Sequence, residues 1–354
     1  MTITKHILPL ALLLTLAACG GGNRGGNGGE EETDLLDAIN PVAEEAQPIE
    51  NEDLSELHPF PLTSVPMIYS GDSDAEAEYV INHYWDNFFN GSGPTGPSSI
   101  LGVSDDDVEQ ALANYIAFLQ DRKALATPDN ITPLTKAQKG IKALFSKLEQ
   151  CQNANPGSHV YVKMTDLVST YLYDPNSPVR DEDLYLPFAE AAEKSSCTSE
   201  DMRAAYKYEA SQCRINGFGQ TVPDIKYCDI RGHKGNLYSV KADYTMLFFS
   251  NPGCTACKEI VNEVLSRGYT DRLISQGKLA IVNIYIDEEV SKWRDYVPNY
   301  PSSWINGYDY TFKLRTSGAF DIRAIPSLYL LDSHKRVLMK DAPTESVLSY
   351  LDRI

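Results

Sequence analysis

Between Arg24 and Arg122 the chain has no lysine or arginine. That stretch holds 21 acidic residues and so carries a formal charge of −21. The whole chain of 354 residues carries −18, which leaves +3 (−18 minus −21) for everything outside it. Phosphate binding needs a basic surface, so nucleic acid is not an expected partner. Apolar residues are also in short supply, at 42% against the roughly 45–50% of an ordinary globular protein. That shortfall predicts a folded protein with unstructured length added. His58, His83 and His159 are isolated, and no second close cysteine pair accompanies Cys254 and Cys257. A zinc site needs such clustering, so no metal or other cofactor is expected.

A long apolar run is missing as well. Ile7 to Ala18 is mostly apolar and follows Lys5, but it is too short to span a bilayer core of roughly 30 Å. This is the layout of a secretory signal. It ends in Leu16-Ala17-Ala18-Cys19, which resembles a bacterial lipobox. The resemblance implies cleavage before Cys19 and a lipid on its thiol, anchoring the protein without a membrane-spanning helix. A plain signal cut at the same place is the alternative. Either reading puts the downstream cysteines in an oxidising compartment.

What is present divides the chain into four parts. Residues 1–18 are the signal and 19–60 a tether, rich in glycine and then in glutamate, which self-repulsion keeps extended. Residues 61–218 read as an all-α domain. Apolar positions at helical spacing mark Ala75 to Phe89, Val108 to Leu119, Lys136 to Gln150, Val160 to Tyr173, Leu184 to Glu193 and Ser199 to Arg214. Ser104, followed by three aspartates, is a candidate helix cap. Gly217 to Gln220 reads as a short hinge. From residue 219 to 354 strands alternate with helices, which predicts an α/β sheet. The expected strands are Thr221 to Asp229, Leu237 to Val240, Tyr244 to Ser250, Leu279 to Ile286, Ser327 to Leu331 and Val337 to Lys340. A helix over Cys254 to Arg267 is expected to stop at Gly268.

The chemistry concentrates at Met246-Leu247-Phe248-Phe249, then Pro252-Gly253, then Cys254-Thr255-Ala256-Cys257. A buried strand, a turn and two cysteines opening a helix form a redox pattern. A helix N-terminus favours the thiolate, which is the nucleophile.

With Ile322-Arg323-Ala324-Ile325-Pro326-Ser327 downstream, residues 220–354 resemble a thioredoxin-like domain, closest to the membrane-tethered thiol-disulfide oxidoreductases of bacterial envelopes. Over residues 67–354 the chain also resembles envelope lipoproteins in which a helical domain of unknown function precedes such a domain. That likeness rests on Asn82-His83-Tyr84-Trp85-Asp86, Tyr171-Leu172-Tyr173-Asp174-Pro175 and Ala242-Asp243-Tyr244. The resemblance implies that Cys254 attacks a substrate disulfide, that Cys257 resolves the mixed disulfide, and that Pro326 is cis and packs against the motif. It implies further that the Ile325 backbone binds an extended substrate by strand addition. Protein disulfides and an upstream thiol donor are the implied partners, and the cell envelope, periplasmic or cell-surface, is the implied location.

Three positions depart from the pattern. Gly253 stands where relatives carry Trp, Phe248 where thioredoxin has a buried acid, and Ile260 where envelope relatives have Glu. Glu259 is a candidate proton relay or simply a solvated helix charge. Thr255 and Ala256 put no positive charge between the cysteines, which leans toward a reductant. The Pro-x-x-x-Thr pattern of peroxide-reducing relatives is absent before Cys254. The competing reading is a partner-binding lipoprotein whose redox domain is accessory or inactive. Cys151, Cys197, Cys213 and Cys228 allow three full pairings, or can stay reduced.

Overall fold

The structure, a computed structural model, describes residues 57–354. The signal read over 1–18, Cys19 and the tether up to residue 56 lie outside the described residues. Phe60, read as tether, is packed instead. Its ring lies 5.7 Å from that of Tyr84 and 5.4 Å from those of Trp85 and Phe88. The His58 N–H donates to the Gly102 carbonyl at 2.9 Å. Burial of a large aromatic outweighs the cost of ordering the few residues around it.

The first half is built on α1 (Ser73–His83), α2 (Asp86–Phe89), a two-residue hairpin of β1 (Ser99–Ile100) and β2 (Val103–Ser104), then α3 (Asp105–Lys123), α4 (Thr132–Ala154), α5 (Val160–Leu172), α6 (Glu182–Lys194) and α7 (Glu200–Cys213). The long helix expected over 75–89 is broken at Tyr84 and Trp85. Thr63 Oγ1 donates to the carbonyls of His83 and Tyr84 at 2.7 and 3.2 Å, closing the end of α1. Trp85, only 2% exposed, then turns into the core. Ser104 caps α3 as expected, its Oγ accepting from the Asp107 N–H at 3.2 Å. Helix α4 is central, packing against α1, α3, α5 and α6.

The second half contains β3 (Lys226–Asp229), β4 (Lys234–Asn236), β5 (Tyr244–Phe249), α8 (Thr255–Ser266), α9 (Gly268–Ser275), β6 (Leu279–Tyr285), α10 (Val290–Tyr296), β7 (Ile305–Tyr308), β8 (Ser327–Asp332), β9 (Val337–Met339) and α11 (Thr344–Asp352). The seven strands run in the order β4-β3-β7-β6-β5-β8-β9. β5, β6 and β7 are parallel, and β8 is antiparallel to β5. Met246 and Phe248 face one apolar layer, with α8 and α11; Leu247 and Phe249 face the other. All four are fully buried, each contributing roughly 1.5–3 kcal/mol of hydrophobic stabilisation.

Several elements differ from the sequence reading. Leu237–Ser239 is a 3₁₀ turn, so the hairpin arm is Lys234–Asn236. Gly268 does not end the helical run but opens α9 after a turn at Arg267, where Thr270 Oγ1 bonds the carbonyls of Val264 and Arg267. Strand β7 was hidden by Asn306 and Gly307. A side chain at Gly307 would put its Cβ 2.8 Å from the Tyr227 ring, so close packing demands the glycine. The hinge at 217–220 is no free hinge. The Gly219 N–H donates to the Val337 carbonyl at 2.8 Å, and the Val337 N–H donates to the Gln220 carbonyl at 2.9 Å.

Candidate active site

Strand β5 ends at Phe249, and the chain turns through Asn251-Pro252-Gly253 into α8. Gly253 has φ +75°, a conformation in which an L side chain is strained. This accounts for glycine where a Trp was the family expectation. Cys254 is the cap residue of α8, and its Sγ accepts from the Cys257 N–H at 3.1 Å. Cys254 and Cys257 form a disulfide with their Cα atoms 5.2 Å apart. Cys254 is half-buried and Cys257 is 2% exposed, so the first sulfur is the approachable one. In the reduced state a thiolate on Cys254 would sit against the positive end of α8.

The peptide bond between Ile325 and Pro326 is cis. Antiparallel pairing sets Phe249 opposite Ser327, so Ile325 and Pro326 lie at the same end of the sheet as Ser250 to Cys254. Ala324 is exposed, and Ile325 and Pro326 are half-exposed. The backbone N–H and carbonyl of Ile325 make no hydrogen bond among the described residues. The structure thus brings Cys254, Cys257, Ile325 and Pro326 together. It does not bring Glu259 to them. Glu259 is exposed, and two positions along a helix from Cys257 is about 200° around it.

Beneath the motif, Phe248 is fully buried and lies edge-on to Trp304, with centroids 6.4 Å apart. No carboxylate takes that place. The buried polar groups here are Ser250, Asn283 and Tyr300, which sequence reasoning missed. Ser250 Oγ donates to Asn283 Oδ1 at 2.6 Å and lies 2.9 Å from the Tyr300 hydroxyl. Asn283 Nδ2 donates to Asn306 Oδ1 at 3.0 Å. Burial pushes the Tyr300 hydroxyl above the usual tyrosine range, partly offset by its bond to Ser250. It therefore stays protonated and serves as a fixed donor or acceptor in the network, and its place between Asn299 and Pro301 gave no sequence signal for that role. On the rim, Asn251 Nδ2 donates to Asp287 Oδ2 at 2.9 Å, and Asp287 pairs with Arg315.

The other four cysteines among the described residues are thiols. Cys151 and Cys197 are half-buried; Cys213 and Cys228 are buried. Of the open alternatives, reduced cysteines are what the fold holds. Burial raises Cys213 far above the ordinary thiol range, which makes it unreactive while folded. Among the described residues no cluster of three or more His, Cys, Asp or Glu could hold a metal. No helix among them is long and apolar enough to cross a membrane.

A family model described as a domain of unknown function, DUF5106, matches residues 40–216. No curated protein matches the chain. Among solved structures, a thioredoxin-like protein from Bacteroides caccae is 34% identical with a TM-score of 0.67, covering 84% of this chain and 99% of that one. The C-terminal domain of an uncharacterised protein from Bacteroides fragilis is 38% identical over 39% of this chain and 98% of its own, with a TM-score of 0.38. The thioredoxin domain of a thiol-disulfide oxidoreductase from Bacteroides vulgatus is 18% identical over 38% of this chain and 98% of its own, with a TM-score of 0.34.

Proposed function

The chain belongs to the DUF5106 family, with a thioredoxin-like α/β domain following the helical one, and from that premise we propose that it is a thiol-disulfide oxidoreductase that reduces or exchanges protein disulfides. One observation carries the reading: an approachable cysteine of a disulfide caps a helix beside a backbone edge at Ile325 with no internal hydrogen-bond partner. The Cys254 thiolate attacks one sulfur of a substrate disulfide. A mixed disulfide forms, and the other substrate sulfur leaves as a thiolate. The Cys257 thiolate then attacks Cys254 Sγ, releasing the second substrate thiol. Two electrons have passed to the substrate, and the protein is left with the Cys254–Cys257 disulfide seen in this structure. An upstream thiol donor must reduce it before the next turnover. The substrate docks as an added strand along Ile325, with Pro326 shaping the approach.

The proposal includes location. Cys19 carries the lipid, and the acidic stretch holds the folded part off an envelope membrane, on the periplasmic or cell-surface side. The envelope fits a redox pair that an outside donor must recharge.

Two measurements test these statements. The reduced protein should reduce insulin disulfides, while Cys254→Ser stays at background. Wild type no faster than Cys254→Ser would leave the helical domain as the functional part and the redox domain as accessory. A reduction potential near about −120 mV, the range of strong oxidants, would reverse the proposed direction of electron flow. For the anchor, Cys19→Ala should move the protein from the membrane to the soluble fraction. Unchanged fractionation overturns that part alone.

A further inference from the structure

The segment that leads into Ile325 is gripped from outside its own domain. Asn216 Nδ2 donates to the Ala319 carbonyl at 2.8 Å. The Arg323 guanidinium lies over the Tyr173 ring, 4.1 Å from its centroid, and donates to the Tyr173 carbonyl. Its Nη2 reaches Glu182 Oε1 at 3.0 Å and Asp341 Oδ2 at 3.1 Å. Arg180 Nε donates to the Asp341 carbonyl at 2.6 Å, so the helical domain also holds the acid that faces Arg323. Glu182 is 4% exposed. Burial pulls the Arg323 guanidinium toward losing its proton, but Glu182 and Asp341 more than offset this, so its positive charge is secure.

Buried ion pairs are a poor way to gain stability, since apolar residues of the same volume do as well. A guanidinium does fix geometry: it is planar, and a stacking ring with several acceptors leaves it one place to sit. Two residues beyond that fixed point, the chain presents the Ile325 backbone and then Pro326. A small disulfide needs no help from the helical domain to reach the reduced Cys254, the half-buried end of the pair. An extended polypeptide, whose backbone must align along Ile325, does.

We propose that Arg323 is a positioning residue through which the helical domain, by Tyr173 and Glu182, sets the Ile325 edge for an extended polypeptide substrate. The inference rests on the redox reading of Cys254 and Cys257. It assigns the helical domain a part in selecting protein over small-molecule disulfides.

Tyr173→Leu removes the stacking face and leaves no charge unpaired; Glu182→Gln keeps the shape and removes the charge. Rates are measured with insulin and with hydroxyethyl disulfide, and the reduction potential is measured alongside. Both variants should raise KM for insulin about tenfold, the worth of one or two backbone hydrogen bonds. The hydroxyethyl disulfide rate and the potential should stay at wild-type values. An unchanged KM for insulin, or equal losses on both disulfides, overturns the proposal. If wild type exceeds Cys254→Ser on neither disulfide, the redox reading is what fails. The positioning role is then decided by amide exchange over residues 319–328. Clearly faster exchange in both variants supports it, and wild-type exchange overturns it.

Discussion

Cys257→Ala is expected to turn a turnover catalyst into a stoichiometric trap. Cys254 keeps its place at the helix N-terminus, so its thiolate still attacks a substrate disulfide and still releases the first substrate thiolate. The step that follows has lost its nucleophile. The mixed disulfide on Cys254 then waits for an external thiol, and turnover should fall by on the order of 10³-fold or more, as when a group acting in one catalytic unit is removed. The protein should remain folded, because Ala is the strongest helix former and the site is one turn inside α8. On a non-reducing gel, adducts should appear that dithiothreitol releases, and mass spectrometry should place them on Cys254. Cys151 and Cys197 provide an internal control, since both are half-exposed thiols outside the motif. Adducts spread over those two, or wild-type turnover in the variant, would sink the assignment of attacking and resolving cysteines. The same adducts would name the natural substrates.

What the sequence made legible was local. Cys254 and Cys257 stand out because an apolar strand, a Pro-Gly turn and the cysteine spacing are consecutive. Pro326 stands out because it precedes an unbroken apolar strand. Ser104 announces a helix start because its Oγ needs only the next three residues to find a partner. The supporting groups could not be read in this way. Ser250 meets Asn283 and Tyr300, which are 33 and 50 residues away, and each alone is an unremarkable polar residue. Arg323 meets Glu182 across 141 residues. Nothing local distinguishes Glu182 from the acids beside it, although Glu182 is buried against Arg323 and Lys340 while Asp183 faces Lys123. Misread boundaries share one cause. At Tyr84, Gly268 and Leu237, side chains from elsewhere or the next element's packing decided where the backbone hydrogen bonds went, and periodicity holds no record of that. The helical domain thus read as a separate unit joined by a hinge, whereas its contacts run into the segment that shapes the candidate site.

Lys340→Met should cause a large loss of stability, because it removes a buried cation that faces two buried acids. Lys340 is 6% exposed. Its Nζ lies 2.6 Å from Glu182 Oε2 and 3.9 Å from Asp321 Oδ2, and it donates to the Gln212 carbonyl at 2.8 Å. Burial pushes both carboxyls above the usual range, against the pull of Lys340 and Arg323. Removing the ammonium leaves Glu182 and Asp321 with Arg323 as their shared cation, while Asp341 keeps both Arg323 and Arg180. Breaking a buried pair by deleting one partner costs about 3–5 kcal/mol, because the other charge stays buried without compensation. For a chain of this size that is a fall in Tm of roughly 5–15 °C. Lys136→Met, which breaks the half-exposed pair with Glu78, should cost no more than about 1 kcal/mol. The double variant Lys340→Met with Glu182→Gln separates charge burial from lost packing. If the cost is the orphaned carboxylate, adding Glu182→Gln should restore part of the loss, a coupling that thermal or urea unfolding can read. Additive losses would mean that Lys340 acts through its methylene stem and the Gln212 carbonyl. In that case the ion cluster would hold the two domains together by shape and not by charge.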